Sequence, residues 1–325
     1  MTKAIVVREH GGPEVLKLEE VTLGEPGQGE ALIRHRAVGL NFIDVCHRTG
    51  LYPAPNGLPM TPGSEGAGEV LALGEGVSHL KVGDRVAYTV PYGAYAEERI
   101  LPADRLVKVP ETVELETAAA MMLKGMTAQY LLNRTYPVKE GDVILFHAAA
   151  GGVGQIAGQW AKALGATVIG TVGSTEKMEL ARACGYDHLI NYREEDFVAE
   201  VKEITGGRGV DVVYDSVGKD TFPGSLACLR HRGMWVTFGQ SSGPVGPVDL
   251  GMLGKMGSLY ATRPTLFNHI AKREDLESTA GALFDMVGSG KVKIPVNQRY
   301  ALADAADAHR DLETRKTTGT TLLIP

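Results

Sequence analysis

The sequence predicts an α/β fold in which a domain with a doubly wound parallel sheet is inserted between two parts of a mostly β domain. Three observations predict it. Short β-rich runs separated by Gly and Pro fill the first hundred residues, strands and helices alternate from residue 114 to about residue 263, and the remaining residues do not extend that alternation. We therefore predict a first domain formed by 1–125 and 266–325, with the second domain at 126–265.

Length and charge are consistent with two domains and exclude some classes of protein. The chain has 325 residues, of which 44% are hydrophobic and 22% are charged, so it can bury two cores. A formal net charge of -6 gives no basic surface field that would attract a nucleic acid backbone or an anionic membrane. We therefore expect neither nucleic acid nor a membrane as a partner.

The N-terminus and the cysteines predict a cytoplasmic protein. Only four consecutive apolar residues precede Arg8, which is too short for the core of a signal peptide. The three cysteines, Cys46, Cys184 and Cys228, form no CxxC pair. Their odd number fits a reducing compartment better than a disulfide framework.

The first domain is predicted from short strands. Its β-rich runs are AIVV, ALIRHRAV, GEVLALG and DRVAYTV, and no sustained helical period occurs before about residue 113. We therefore predict a small, irregular β domain. Helical stretches at about 270–289 and 303–314 and a terminal strand, TTLLIP, are assigned to the same domain because they follow the alternating series without extending it.

The alternating series begins after a predicted helix from Glu114 to Arg134. The strands DVILFHA, TVIGTV, HLIN, DVVYDSV, GMWVTFG and GSLYATR alternate with the helices VGQIAGQWAKAL and TEKMELARAC and with helices from Glu194 and Thr221. This order is typical of a parallel sheet with helices on both faces. Apolar residues at helical spacing give the first of these helices one stripe toward the sheet: Val153, Ile156, Ala157, Trp160, Ala161 and Leu164.

The strongest functional signal is the run HAAAGGVG, from His147 to Gly154, between the first strand and the first helix of the series. Glycines at such a turn let the backbone approach a pyrophosphate, and the helix N-terminus offers free N–H groups. Ala149 stands at the first glycine position of the G-x-G-x-x-G pattern. The predicted cofactor contacts are Gly151, Gly152, Val153 and Gly154. The alternative is a turn that is tight only for packing.

The end of the second strand indicates NADPH rather than NADH. An acidic residue there would bind the ribose 2′-hydroxyl and repel a 2′-phosphate, but the sequence continues with Gly173, Ser174 and Thr175. Lys177 adds a positive charge, although it also fits an ordinary solvated helix lysine, and Glu176 is an acidic neighbour that argues the other way.

Several motifs resemble those of the medium-chain dehydrogenase/reductase superfamily. They are GLNFIDVCHRTGLYP (39–53), TPGSEGAGEV (61–70) and GDRVAY. NFID, the triplet Leu51-Tyr52-Pro53, HAAAGGVG, INYREED, YDSVG and TRP are most similar to the NADPH:quinone oxidoreductase group that includes zeta-crystallin. The resemblance covers essentially the whole chain. It implies a GroES-like catalytic domain, an inserted Rossmann domain that binds NADPH, reduction of a quinone, and a homodimer formed through edge strands of the nucleotide domains.

The same comparison predicts that no metal is bound. Zinc-bearing members of the superfamily have a cysteine at the position of Asn41 and a histidine at the position of Ser64, and no cysteine lies between Cys46 and Cys184 to form their structural zinc lobe. Cys46 and His47 are adjacent and point in different directions. Without a Lewis acid to acidify an alcohol, a substrate that accepts hydride readily is favoured over alcohol oxidation.

The resemblance also implies which residues surround the cofactor. The nicotinamide end is assigned to Asn41, Phe42, Asp44 and Cys46, where close relatives have an aromatic residue at position 46, and the linking helix contributes Thr127 and Tyr130. The 2′-phosphate is assigned to Ser174, Lys177, Tyr192 and Arg315, although Arg315 also fits a solvated charge. The riboses and the carboxamide are assigned to Val217, Phe238, Gly239, Gln240, Ser241, Arg263, Pro264 and Leu266.

Two side chains are candidates for direct roles in the reaction. Tyr52 is the first candidate for the proton donor, but it also fits the wall on which a flat ring stacks, which we favour, or a core aromatic in a Pro-rich loop. Asn41 could polarise a carbonyl or cap the backbone of a loop. Two further functions stay open: an NADPH-dependent enone or 2-alkenal reductase, and an NADPH-binding protein with little turnover.

Overall fold

A computed structural model describes residues 1–54 and 56–325. The strands are β1 (Thr2–Val6), β2 (Lys17–Val21), β3 (Glu30–Leu40), β4 (Glu65–Leu73), β5 (Arg85–Thr89), β6 (Glu98–Pro102), β7 (Val107–Lys108), β8 (Val143–Phe146), β9 (Thr167–Val172), β10 (His188–Asn191), β11 (Val210–Asp215), β12 (Leu229–Thr237), β13 (Tyr260–Thr262), β14 (Val296–Ala301) and β15 (Thr320–Ile324). The helices are α1 (Phe42–Thr49), α2 (Leu115–Tyr130), α3 (Gly152–Ala163), α4 (Thr175–Arg182), α5 (Phe197–Ile204), α6 (Gly224–Ala227), α7 (Leu250–Lys255), α8 (Leu266–His269), α9 (Arg273–Gly288) and α10 (Ala305–Glu313).

The chain forms two compact units. The first consists of Met1–Met126, Ile270–Gly288 and Ile294–Pro325, and the second of Thr127–His269 and Ser289–Lys293. The second unit is therefore inserted between parts of the first. Compared with the division expected from the sequence, residues 266–269 and 289–293 lie in the second unit instead of the first, and Met126 lies in the first instead of the second.

The first unit is built on a mostly antiparallel sheet in the order β14-β15-β3-β4-β5-β7, with β6 also paired to β3. The long strand β3 is its centre, and the C-terminal strand β15 lies beside it with Leu323 opposite Val38. Buried residues from both ends of the chain, including Ile33, Tyr95 and Leu302, share one core. The end of the chain returns to the first unit.

Helix α1 was missed by the sequence analysis. The expectation of no helix before about residue 113 is therefore wrong. The helix buries polar residues, among them Asp44, His47 and Arg48, so its buried face does not read as an apolar stripe. Asn41 is its N-cap residue, and the backbone N–H of Asn41 donates to the Asp44 carboxylate at 2.8 Å.

The second unit contains a six-stranded parallel sheet in the order β10-β9-β8-β11-β12-β13. This is the doubly wound order that the alternating series predicted. The strand order reverses beside β8, and ligands of such sheets bind outside the carboxyl ends of the strands at that point. The loop that follows Phe146, the last residue of β8, is therefore where the fold favours a ligand.

Helix α3 follows that loop, and the predicted apolar stripe is only partly buried. Ile156, Ala157, Trp160 and Ala161 are buried as expected, whereas Val153 and Leu164 are half-buried. The other shifts are at helix ends. Asp196 caps α5 by accepting from two backbone N–H groups, so α5 begins at Phe197. In addition, α2 passes into a π-helical turn at Leu131–Thr135, and α7 and α8 were not predicted.

Within the described residues, no helix has both the length and the apolar character needed to cross a bilayer.

Candidate functional site

The loop between β8 and α3 leaves a helix N-terminus open to a ligand. Gly151 is the N-cap residue of α3 and offers no side-chain acceptor, and no acidic residue lies in the first turn. The first N–H groups of a helix have no partner within the helix, and the positive end of the helix dipole lies at the same place. These features favour a negatively charged group such as a pyrophosphate.

Gly154 is required by the close approach of the backbone in this loop. A Cβ atom on Gly154 would lie 2.4 Å from the carbonyl oxygen of Ala148 and 2.7 Å from that of Ala149. Both contacts are with backbone, so they could be relieved only by moving the loop. The loop is therefore held against the start of α3 in a shape that only glycine allows at this position.

A network of buried, hydrogen-bonded side chains lies next to the loop between β8 and α3. The Thr171 hydroxyl lies 2.9 Å from His147 Nδ1, and His147 Nε2 lies 3.1 Å from the Ser225 hydroxyl. Burial lowers the pKa of His147, so the ring is neutral. Its Nδ1 then accepts from the Thr171 hydroxyl, and its Nε2–H donates to the Ser225 hydroxyl. Ser225 in turn donates to Asp215 at 2.8 Å. The network joins the carboxyl ends of β8, β9 and β11.

Asp215 orders the turn after β11. Its carboxylate accepts the backbone N–H groups of Val217 at 2.9 Å and Gly218 at 3.1 Å. Burial acts to raise the pKa of this carboxyl, but the hydrogen bonds it accepts contribute to holding it below the ordinary value. The sequence analysis named Val217 as a cofactor contact but did not identify Asp215, because a buried aspartate at a strand end has no local signature.

The residues assigned to the 2′-phosphate lie together at the ends of β9 and β10, apart from Arg315. The Ser174 hydroxyl is the N-cap of α4 and accepts the N–H of Lys177 at 3.4 Å. The Tyr192 hydroxyl would be 2.7 Å from a Cβ atom on Gly173, and Tyr192 is 43% exposed. Thr175 is also exposed. The segment that follows β9 has no acidic residue before Glu176, which is exposed in the first turn of α4.

The loop after β12 is held by Arg263. Its guanidinium donates to the carbonyl oxygen of Gly239 at 2.8 Å and to Gln240 Oε1 at 3.4 Å. Arg263, Gly239 and Gln240, which were all assigned to the riboses and the carboxamide, therefore lie in contact with one another. The guanidinium of Arg263 holds the loop in place through these hydrogen bonds. The other members of this assignment lie at the same edge of the sheet or at α8: Phe238, Ser241, Pro264 and Leu266. Thr127 and Tyr130, which were assigned from the linking helix, are both buried. Tyr130 is buried and its ring stacks on that of His269 at 4.4 Å.

In the first unit, the residues assigned to the nicotinamide end differ in exposure. Phe42 is 42% exposed, whereas Asp44 and Cys46 are buried. Burial raises the pKa of the Cys46 thiol. The expectation that the side chains of Asp44 and Cys46 line the cofactor is not supported by this burial. Both side chains lie on the buried face of α1, inside the first unit.

The contacts of Asp44 can accommodate a proton on its carboxyl group. The Ser64 hydroxyl lies 2.7 Å from Asp44 Oδ1 and 2.9 Å from the carbonyl oxygen of Pro91. Ser64 donates to Asp44 when the carboxyl is ionised, whereas in the protonated form Oδ1 of Asp44 can donate to Ser64 and leave the Ser64 proton for Pro91. Burial raises the pKa of Asp44 to about 6, against the hydrogen bonds that it accepts.

The other oxygen of Asp44 begins a chain of buried hydrogen bonds. Tyr95 donates to Oδ2 at 2.9 Å and lies 3.1 Å from His309 Nε2. Arg48 donates to His309 Nδ1 at 3.0 Å and pairs with Glu313 at 2.8 Å. Burial lowers the pKa of His309 to about 3, so its ring is neutral. This chain ties α1 to α10, and the sequence analysis did not detect it.

The expected role of Asn41 in polarising a carbonyl is contradicted by its hydrogen bonds. Asn41 Nδ2 donates to Glu65 Oε1 at 2.8 Å and to the carbonyl oxygen of Gly39 at 3.4 Å. Both amide hydrogens are therefore engaged within the first unit, and none remains to donate to a substrate.

Tyr52 and Arg315 keep their assignments as predictions. Tyr52 is half-buried, and its ring meets that of His47 edge-on at 6.2 Å. This contact fits a wall for a flat substrate as well as a proton donor. Arg315 lies in the first unit after α10, is exposed, and has a positive φ of 61°.

The two positions that correspond to zinc ligands in the zinc-bearing proteins described above are engaged in hydrogen bonds here. Ser64 is engaged with Asp44 and Pro91, and Asn41 with Glu65. Among residues 1–54 and 56–325, no three His, Cys, Asp or Glu side chains are grouped so that they could hold a metal ion.

Comparison with known proteins identifies the relatives of this chain. The zinc-binding dehydrogenase family matches residues 152–290, and the alcohol dehydrogenase GroES-like domain matches residues 27–111. A quinone oxidoreductase of Pseudomonas aeruginosa is 53% identical over the full length of both chains. The crystal structure of Escherichia coli quinone oxidoreductase complexed with NADPH is 50% identical, has a TM-score of 0.97, and matches 99% of this chain and 100% of its own. A 2-haloacrylate reductase of Burkholderia is 46% identical over 100% of this chain and 99% of its own.

Proposed function

The chain belongs to the medium-chain dehydrogenase/reductase superfamily, in its quinone oxidoreductase group, and from that relationship we propose that it is a zinc-independent NADPH:quinone oxidoreductase. The observation that carries the proposal is the loop at the carboxyl end of β8. It combines an uncapped helix N-terminus with a backbone shape that requires Gly154. At the end of β9, Gly173 leaves space for a 2′-phosphate, and Ser174 and Thr175 carry hydroxyl groups that can donate to it. An enzyme specific for NADH would have an acidic residue at this place.

The reaction balances as NADPH, a quinone and one proton giving NADP⁺ and a hydroquinone. Bound NADPH supplies the hydride, because a quinone is already a strong electron acceptor. The contribution of the protein is then to bind and orient the two reactants and to exclude water. The network of His147, Ser225 and Asp215 supports this function by fixing the strand ends that hold the loop.

Initial rates of NADPH oxidation test the proposal. The acceptors are 1,4-benzoquinone, 9,10-phenanthrenequinone and a 2-alkenal, with NADH in place of NADPH and EDTA as controls. We expect turnover that depends on the quinone, prefers NADPH and is unaffected by EDTA. Tight NADPH binding without turnover of any acceptor would contradict the enzyme and leave a binding protein.

A second candidate is the reduction of a conjugated C=C bond. It is favoured by the 46% identity to 2-haloacrylate reductase over nearly the full length of both chains. Hydride delivery to the conjugated carbon of an enone uses the same cofactor geometry as hydride delivery to a quinone. Turnover of the alkenal alone in the same assay would select this function.

We predict that Tyr52 forms a wall for the substrate. Tyr52→Phe is then expected to keep kcat within about twofold, because a general acid would contribute 10²-fold or more. Tyr52→Ala removes the ring and is expected to raise the KM for the quinone. A large fall in kcat for Tyr52→Phe, with an unchanged KM, would show instead that the hydroxyl donates the proton.

Cofactor preference is expected to reverse in Ser174→Asp. Aspartate caps a helix as well as serine does, so α4 is retained, but its charge would repel a 2′-phosphate and could bind the two ribose hydroxyls. Opposed like charges cost several kcal/mol, so kcat/KM for NADPH should fall about 100-fold. Ser174→Asn has the same shape without the charge and should keep the preference for NADPH. If both variants prefer NADPH equally, the phosphate binds elsewhere.

The setting of the protein is also part of the proposal. Cys46, Cys184 and Cys228 are free and buried, which supports a reducing, cytoplasmic environment. A homodimer formed through the edge strands of the parallel sheets is expected from the resemblance. Tyr260 on the edge strand β13 is 58% exposed, which supports that expectation.

A further inference from the structure

A basic cleft lies in the second unit, at the edge of the parallel sheet opposite the loop between β8 and α3. Its volume is about 640 Å³, and it is lined by Gly207, Arg208, Arg230, His231 and Arg232. Arg208 lies just before β11, and the other three side chains lie near the amino end of β12. Because β8, β11 and β12 are parallel, this edge is the far end from the strand ends that favour the cofactor. The reaction proposed above therefore does not use this cleft.

An irregularity in β12 brings the basic residues together. Between two consecutive backbone pairs of β11 and β12, one residue of β11 lies opposite four residues of β12, 230–233, which form a bulge. The backbone is closely packed at this place, since a Cβ atom on Gly209 would lie 2.7 Å from the backbone nitrogen of Arg230. Arg208, which precedes Gly209, is therefore held next to the bulge.

The positive charges of the cleft are only partly balanced. Arg208 Nη2 and Arg230 Nε both donate to Oδ1 of Asp211, at 2.7 Å and 2.5 Å. The Asp211 carboxylate is buried, and its Oδ2 also accepts the backbone N–H of Val143 at 2.9 Å. The Arg232 side chain has no hydrogen bond or ion pair within the described residues. Three guanidinium groups thus face one carboxylate, and two positive charges remain unbalanced.

Stability does not account for an arginine at position 232. Arg232 has a φ of 59°, in the left-handed region that residues other than glycine rarely adopt and that asparagine tolerates better. Two further guanidinium groups line the same cleft, and like charges close together repel one another. The whole chain carries a net charge of -6, so this concentration of positive charge is opposite in sign to the protein around it. Strained backbone of this kind is concentrated at ligand-binding and catalytic sites.

We propose that this cleft binds a phosphate group, as the free ion or as part of a small phosphate ester. The planar guanidinium of arginine donates two parallel hydrogen bonds to a phosphate, which suits arginine to phosphate recognition. A phosphate ester carries nearly two negative charges at neutral pH and so matches the two unbalanced positive charges, whereas a single carboxylate would neutralise only one. Arg232 supplies the main contacts, and Arg208 and Arg230 contribute positive charge. The site is separate from the cofactor site, so phosphate binds with NADPH already in place.

Calorimetric titration of the NADPH-saturated protein tests the proposal, because NADPH occupies the other place where phosphate groups are expected to bind. The probes are inorganic phosphate and glycerol 3-phosphate, with citrate as a carboxylate for comparison, at constant ionic strength because salt screens exposed charges. We expect one phosphate site per chain, and the tighter of the two phosphate probes identifies the free ion or the ester as the ligand. Arg232→Asn should raise the Kd of both phosphate probes at least about tenfold, since it removes charge-assisted hydrogen bonds.

Thermal melting and a control variant separate binding from folding. Asparagine tolerates a positive φ better than arginine, so Arg232→Asn should melt no lower than the parent protein when phosphate is absent. Arg36→Gln removes one exposed arginine of β3 and should leave the Kd unchanged. An unchanged Kd in Arg232→Asn would overturn the proposal, as would citrate binding more tightly than both phosphate probes. Binding of phosphate that depends on Arg232, in a protein that does not bind NADPH, would contradict only the proposed function.

Discussion

Gly154→Ala is expected to reduce NADPH affinity by at least about 100-fold. The added methyl group would lie 2.4 Å and 2.7 Å from two backbone carbonyl oxygens, those of Ala148 and Ala149. Because neither oxygen belongs to a flexible side chain, the loop must move away from the start of α3. Overpacking of this kind costs about 1–3 kcal/mol of stability, and the displaced loop would no longer present the helix N-terminus to the pyrophosphate.

Fluorescence titration with NADPH and thermal melting measure these two effects separately. Gly281→Ala in α9 is the matched control, since a Cβ atom there meets no other atom within 4 Å. The control is expected to stabilise the protein by about 0.5–1 kcal/mol, because alanine loses less backbone freedom than glycine in a helix, and to bind NADPH normally. A folded Gly154→Ala protein with unchanged affinity would show that this loop does not hold the cofactor.

The second unit was predictable because its signals are local. Its central parallel strands are apolar runs, its helix α3 has an amphipathic period, and the order of the elements leaves few possible topologies. The loop before α3 and Ser174 could also be assigned to the cofactor site from sequence, because each directly follows a predicted strand. The first unit lacks such signals, and α1 was missed because Asp44 and Arg48 are buried by partners far away in the chain.

Apart from Asp215, the parts of the site that the sequence did not predict depend on long-range pairing. Glu65 reaches Lys124, which is 59 residues away, and Arg48 reaches His309, which is 261 residues away. A lysine or an arginine in a helix is usually solvated, so its burial cannot be inferred without its partner. For the same reason, the orientation of the Asn41 amide could be assigned only from Glu65 and Gly39.

Asp44→Asn is expected to make the protein more stable at neutral and alkaline pH. Asparagine has the shape of the protonated acid, with an N–H₂ group that can donate to Ser64 and an oxygen that can accept from Asn41 and Tyr95. Burial raises the pKa of Asp44 from its ordinary 3.8 to about 6 in the folded protein. The folded state therefore binds more protons than the unfolded state between these values, and its stability falls as pH rises through them.

The size of the effect follows from the shift of the pKa. A change from 3.8 to about 6 corresponds to about 3 kcal/mol, of which about 0.6 kcal/mol is present at pH 4 and nearly all at pH 8. Urea unfolding at several pH values should therefore show the variant and the parent with similar stability at pH 4 and the variant ahead by about that amount at pH 8. The buried neutral ring of His309 destabilises both proteins as pH falls toward 3, so the difference between them isolates Asp44. A difference that does not change with pH would mean that Asp44 is ionised in the folded protein, with Ser64 donating to it and leaving the Pro91 carbonyl without that hydrogen bond.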